Sequence, residues 1–497
     1  MRRLTRRLMV VWILAVMGAS HVGRGAAPAS DRQVAGTLSR PTSAAATPAG
    51  SEVHPAAERS YAVVVSRDTL ARDDWKAVAD ALVSKYNGRL VTWDTSVTEV
   101  RSALTTMRPN YACFVAPPEE CGRTLVILVH RLTRRLDADP YTDCLWGILT
   151  GYDAADALRI AEREEPLRLR KVLSGTSGGK VGPFEAGVVF REGKAGQMRV
   201  KEPGGEWHDT DGANDSTQAI VAYFNDQAPD CFITSGHATE RDWQIGYSYK
   251  DGQLRCDDGR LFGVDTEGIR HAIRSPNPKV HLPVGNCLIG HVPGPNCMVT
   301  ALIHSAGVVQ MFGYIVPTWY GKGGWGIQDI FLDQPGRFTL AEAFFANTQA
   351  MLHEIRTRFP DQAGVDLRRY DMRALARQTG TRDRDCLGLL WDRDTVAFYG
   401  DPALDVRPVR GNLAWEQRLT VDGNRYTLTL SCRRDGEWPK QPVLAFLPHR
   451  IDAASAKNVA GEDRKPIITD NFVMAPLKGT FAKGDTVTVA FTAERAE

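Results

Sequence analysis

At 497 residues the chain is too long for a single hydrophobic core, and two or three domains are expected. Its 43% hydrophobic and 24% charged residues are ordinary for a globular protein. A net charge of +2 argues against a dedicated nucleic-acid binder, so function must be read from sites.

The N-terminus has four arginines, then an apolar run from Leu8 to Ala19, then small residues. That is the layout of a secretory signal, placed at residues 1–27. The run is shorter than the roughly 20 apolar residues of a membrane span. The mature chain is therefore expected to be secreted or periplasmic, without a membrane span. Residues 28–58, rich in Ala, Pro, Ser and Thr, read as a disordered linker or propeptide.

From Tyr61 strands and helices alternate. YAVVVS, RLVTW and YACFVAP read as strands; DDWKAVADALVSKYNG, SVTEVRSALTTM and TLVILVHRLTRRL read as helices. Residues 174–214 are Gly-rich and polar and read as a loop excursion. Within them SGTSGGKVG fails as a phosphate loop, because Ser174 replaces the first Gly and Val181 follows Lys180. The rhythm then resumes: a helix over DSTQAIVAYFND, strands CFITS and KVHLPVGN, a helix NCMVTALIHSAG, a strand GVVQMFGYIV and a long helix from Thr339 to Phe359. The expectation is an α/β domain over 59–410, a mostly parallel sheet flanked by helices. After about residue 410 the period becomes two, and RLTV-DGN-RYTLTL is a hairpin signal, so 411–497 reads as a β-sandwich.

His237 follows the strand CFITS, and Cys287 follows KVHLPVGN fifty residues later. Loops at the carboxyl ends of parallel strands converge on one edge, where ligands bind. A histidine beside a cysteine favours the thiolate, the nucleophilic form, and nearby backbone N–H groups can hold an oxyanion. Nine cysteines is an odd number, so at least one stays unpaired.

These segments resemble the gingipain family of clan CD cysteine peptidases, which have the caspase–hemoglobinase fold. The resemblance rests on Gly236-His237-Ala238-Thr239 with Trp243, on Asn286-Cys287-Leu288-Ile289-Gly290, and on YTDCLWGILTGYD, FTLAEAFF and FYGDPALDV in that order. It implies a cysteine endopeptidase acting on protein or peptide through a Cys287–His237 dyad, followed by an immunoglobulin-like sandwich. The N–H groups of Gly236 and Ala238 would serve the oxyanion, and no cofactor would be needed. An acid orienting His237 is sought among Asp143, Asp153 and Glu240. Trp243 and the loop carrying Trp319, Tyr320 and Trp325 are candidate walls of a substrate pocket. The chain departs from the family at Ala238, where glycine is usual, and in its longer His-to-Cys spacing, where 251–268 reads as an insertion. These departures leave a catalytically inactive secreted binding module as the alternative. A zinc site drawn from His281, Cys287, His291, Cys297 and His304 lacks paired-ligand spacing. A structural calcium on Asp257, Asp258, Asp265 and Glu267 is the remaining metal candidate.

Overall fold

A computed structural model describes residues 60–496, so the signal and linker expectations lie outside the described residues. All described residues belong to one compact unit. A twelve-stranded sheet runs through it. In spatial order its strands are Arg89–Trp93, Tyr61–Ser66, Tyr111–Val115, Leu145–Leu149, Val396–Tyr399, Val308–Tyr314, Lys279–Pro283, Cys231–Thr234, Lys171–Ser174, Ala186–Phe190, Gln197–Lys201 and His208–Asp211. Strands covered by helices on both faces are apolar throughout, and Tyr61–Ser66 is buried along its whole length. Helices take the crossovers. The longest, Leu340–Arg358, starts with a capping box in which Thr339 and Glu342 bond each other's backbone. This is the layout expected of a caspase–hemoglobinase-like fold.

One feature lies outside the expectation. Neighbours pair parallel except at three steps: Val308–Tyr314 with Val396–Tyr399, and the two steps that end at His208–Asp211. The first of these reverses the sheet. The strands from Arg89–Trp93 to Val396–Tyr399 run opposite to those from Val308–Tyr314 to Ala186–Phe190. Their carboxyl-end loops therefore leave from opposite edges.

The expected excursion at 174–214 is corrected. It contains Ala186–Phe190, Gln197–Lys201 and His208–Asp211, which extend the sheet. Gln197–Lys201 and the edge strand His208–Asp211 are largely solvent-facing and need no apolar run, so they carry no strong strand signal. Beyond Ser174, which ends a strand, GTSGGKVG is loop, as expected. The 251–268 segment builds a second, four-stranded antiparallel sheet with Asp242–Gln244 and Arg270–Ala272, fastened to the Met298–Ala306 helix where Leu261 N–H donates to Ser305 Oγ at 2.8 Å.

The C-terminal hairpin forms with Asp422 opposite Arg425 and joins a four-stranded sheet. Tyr426, Leu428 and Leu430 point inward at period two and pack with Val443, Ala445, Val473 and Phe491 in a second core. Leu444, Phe472 and Met474 from the same strands pack instead into the larger core. Arg450 adds polar contacts, donating to the carbonyls of Pro109 and Asp143. The sandwich is thus welded to the α/β part.

The Gly-Asp-Pro segment after Val396–Tyr399 closes the sheet. Asp401, fully buried, accepts from Tyr61 Oη at 2.8 Å, Tyr86 Oη at 2.6 Å and Lys85 Nζ at 3.3 Å. Burial, with Asp401 second, holds both tyrosines well above the usual phenol range. Asp401→Ala strands these donors and is expected to cost about 3–5 kcal/mol, read from urea unfolding midpoints. A loss below about 1 kcal/mol would show that the cluster is dispensable.

Candidate active site

The histidine strand Cys231–Thr234 and the cysteine strand Lys279–Pro283 are adjacent and parallel, with Thr234 opposite Pro283. Their ends are cross-braced by Asn286, itself fully buried. Its Nδ2 donates to the Gly236 carbonyl at 3.1 Å, and its Oδ1 accepts from Thr234 Oγ1 at 2.7 Å. Thr234 Oγ1 also lies 2.9 Å from His281 Nε2. Since the threonine proton is given to Asn286, His281 must donate through Nε2. Burial pushes the His281 pKa down to about 3, so this ring is neutral at physiological pH. A histidine in the cysteine strand thus anchors a threonine in the histidine strand, and both loops hang from Asn286.

Gly236 has φ +88°, in the left-handed region, and turns the chain toward His237. His237 is exposed, with its ring stacked on Tyr247 at 5.5 Å between centroids. Cys287 is half-buried; its Sγ accepts from Thr318 N–H at 3.2 Å. Leu288 follows at φ +57°, a strained conformation for leucine. The turn is held by Leu288 N–H to Val316 O at 3.2 Å and Gly290 N–H to Tyr314 O at 3.0 Å. Gly290 passes so close to Gly313 that an added Cβ would lie 2.3 Å from the Gly313 carbonyl oxygen. Among the described residues no hydrogen bond joins His237 to Cys287, and the N–H groups of Gly236, Ala238 and Cys287 have no acceptor.

A cleft of about 220 Å³ opens beside this edge, lined among others by Ser235, Gly236, Tyr247, Gly285, Glu192 and Trp325. Glu192 was hidden in the supposed loop excursion; the signal that could have found it is the apolar strand AGVVF just ahead. Its carboxylate accepts from Thr176 Oγ1 at 2.9 Å, and Ser235 Oγ donates to Thr176 Oγ1 at 2.8 Å. Its carbonyl accepts from Tyr247 N–H.

The three acids proposed to orient His237 do not meet it. Asp153 is the N-cap of the Ala154–Ala161 helix, beyond the opposite sheet edge because of the reversal. Asp143 precedes Leu145–Leu149, four strands from the histidine strand, or about 19 Å. There it gathers with Asp137 and Asp139 within 4.8 Å. Glu240 makes no carboxylate hydrogen bond among the described residues; its carbonyl caps the Met298–Ala306 helix through Met298 N–H. Trp243 is 1% exposed and donates to the Ser235 carbonyl, a strut beneath the histidine loop rather than a pocket wall. Tyr320 bonds Asp385, and Trp319 packs between Tyr320 and Trp391. Of the four aromatic candidates, Trp325 lines the cleft.

The zinc candidates are dispersed. His304 is engaged by Asp156, Cys297 by Thr300, and His281 by Thr234. The acids considered for calcium lie at opposite ends of Arg260–Val264: Asp257 and Asp258 precede it, Asp265 and Glu267 follow it.

No protein-family model matches the sequence, and no curated protein matches it. Among solved structures the chain is similar to the Arg-specific cysteine proteinase gingipain R (RGPB), at 10% identity and a TM-score of 0.41, over 89% of this chain and 99% of that one.

Asn286→Ala should cost about 1–3 kcal/mol, since it leaves the Gly236 carbonyl and the Thr234 hydroxyl without their partner; chemical denaturation measures it. A second expectation concerns Asp143. Burial, aided by Asp137 and Asp139, pushes its carboxyl up to about 9, against about 3.9 unfolded. The native state therefore keeps a proton that the unfolded chain releases. The stability this contributes is complete below pH 4 and is lost as pH rises toward 9. Asp143→Asn should match the wild type at pH 4 and exceed it at pH 8 by on the order of 2 kcal/mol.

Proposed function

We propose that the chain is an exported cysteine endopeptidase. The observation that carries this reading is that, of nine free cysteines, eight are buried and Cys287 alone is accessible. It stands at the carboxyl edge of the sheet, one strand from the His237 loop, with unbonded backbone N–H groups beside it.

In the proposed reaction Cys287 Sγ attacks the peptide carbonyl carbon while His237 takes the thiol proton. The carbonyl π electrons move onto oxygen, where the N–H groups of Gly236, Ala238 and Cys287 receive the charge. His237 returns its proton to the departing amine as the C–N bond breaks, leaving a thioester. Water, deprotonated by His237, then releases the acid and restores the thiol. Catalytic hydrogen bonds often tighten only when substrate is bound, which accounts for a His237 that rests on Tyr247 in the free protein. Ala238 keeps the N–H that this step uses. Glu192 supports the arrangement at one remove, through Thr176 to Ser235 and through its carbonyl to Tyr247.

The resting geometry also favours a second reading, a secreted binding module with a peptidase-like fold, because His237 and Cys287 are not hydrogen-bonded. Two measurements separate them. With a mixed peptide library under reducing conditions, Cys287→Ala and His237→Ala should each lose at least about 10³-fold in kcat/KM. Iodoacetamide should alkylate Cys287 ahead of the eight buried thiols, and faster than free cysteine at pH 7. No cleavage together with ordinary Cys287 reactivity would establish the binding module. Cleavage that survives Cys287→Ala would place the nucleophile elsewhere.

A further inference from the structure

Trp325 has cavities on two sides. One is the cleft at Gly236 and Gly285; the other is a larger cavity of about 830 Å³ between the helices Lys322–Asp333 and Leu340–Arg358 and the loops of the C-terminal sandwich. Its volume is that of a ligand site rather than a packing gap. Its lining carries six cationic side chains against three acids, of which Asp329 is paired with Lys180. Lys322 and Arg358 pair with Glu354, and Arg464 pairs with Asp463. Lys440, Lys465 and Lys478 also line it, from three separate sandwich loops, and none has a carboxylate partner among the described residues. Three uncompensated ammonium groups converging on one concavity raise its potential and attract anions.

We propose that this cavity is an exosite for an acidic stretch of the polypeptide substrate, a role that rests on the peptidase reading of the adjoining cleft. Three features favour a peptide over a nucleotide or a nucleic acid. The arginines that would grip a phosphate bidentately are tied to carboxylates, leaving lysines, which act as separated point charges. Pro442, Pro476 and Leu477 line the wall between them and suit an aliphatic backbone and side chains. Trp325 is shared with the cleft, so a chain crossing its ring would occupy both sites at once. The 28–58 segment of this chain fits less well, because Asp31, Glu52 and Glu58 are nearly balanced by Arg32 and Arg40.

The test uses the full chain and a fluorescein-labelled Glu-rich peptide, with anisotropy as the readout. The wild type should bind it with an affinity that falls as salt rises. A Lys440→Gln/Lys465→Gln/Lys478→Gln variant should bind about tenfold more weakly, as expected for the loss of three exposed ion pairs. A Lys-rich peptide of equal length should not bind. In parallel, an acidic tract appended to a cleavable peptide should raise wild-type kcat/KM about tenfold over the tract-free peptide, and the triple variant should lose that ratio. Equal binding by wild type and variant, or tighter binding of a single-stranded oligonucleotide than of the acidic peptide, overturns the exosite. Lysine-dependent binding with no cleavage of any peptide keeps the acidic-peptide site and overturns the peptidase reading instead.

Discussion

One buried carboxamide ties together the two loops that carry His237 and Cys287. His237 and Cys287 lie on loops fifty residues apart, and Asn286, in the cysteine loop, is hydrogen-bonded at two points to the end of the histidine strand. The Gly236 carbonyl can only accept, so it fixes the amide side of Asn286, and the Thr234 hydroxyl then donates to the oxygen that remains. A flipped side chain would set its oxygen against the Gly236 carbonyl. The neutral His281 completes the brace from within the cysteine strand, so the two loops share one chain of hydrogen bonds rather than two independent supports. Beyond Asn286 the backbone is forced into a left-handed turn at Leu288, and that strain persists because the flanking N–H groups are claimed by the strand next door.

The α/β rhythm was legible because parallel strands buried on both faces must be apolar, and crossover helices must carry a stripe and a cap. Thus CFIT, KVHLP and the long helix that starts after Thr339 stand where the pattern put them. The two candidate residues, His237 and Cys287, stood out for the same reason, as polar residues just past apolar runs. What the pattern could not carry is strand direction. Nothing local in Val396–Tyr399 shows that it runs antiparallel to Val308–Tyr314, and that single pairing moves Asp153 to the far edge. Ala186–Phe190, which leads into Glu192, is apolar but short and set among Gly-rich and polar residues; the two outer strands beyond it were missed because solvent-facing strands tolerate polar residues. Trp243 was misplaced because an indole can brace a loop from below as readily as wall a pocket.

The sandwich is more than an appendage. Alternate residues of its strands serve different cores: Val473 and Ala475 face their own sheet partner, while Phe472 and Met474 face the α/β domain. Arg450 and Asn471 both reach the Asp143 carbonyl. Two domains by sequence period behave as one packing unit, and the loops of the second complete a cavity wall begun by the helices of the first.

The reversal of the sheet divides the molecule's labour in space. Loops following Tyr61–Ser66, Tyr111–Val115 and Leu145–Leu149 gather on one rim, and those following Cys231–Thr234, Lys279–Pro283 and Val308–Tyr314 on the other. Each rim is an independent platform for sequence drift. Insertions on the first can lengthen, shorten or acquire new binding partners without disturbing the braced loops at Asn286. A fold wound in one direction throughout would crowd both histories onto the same surface.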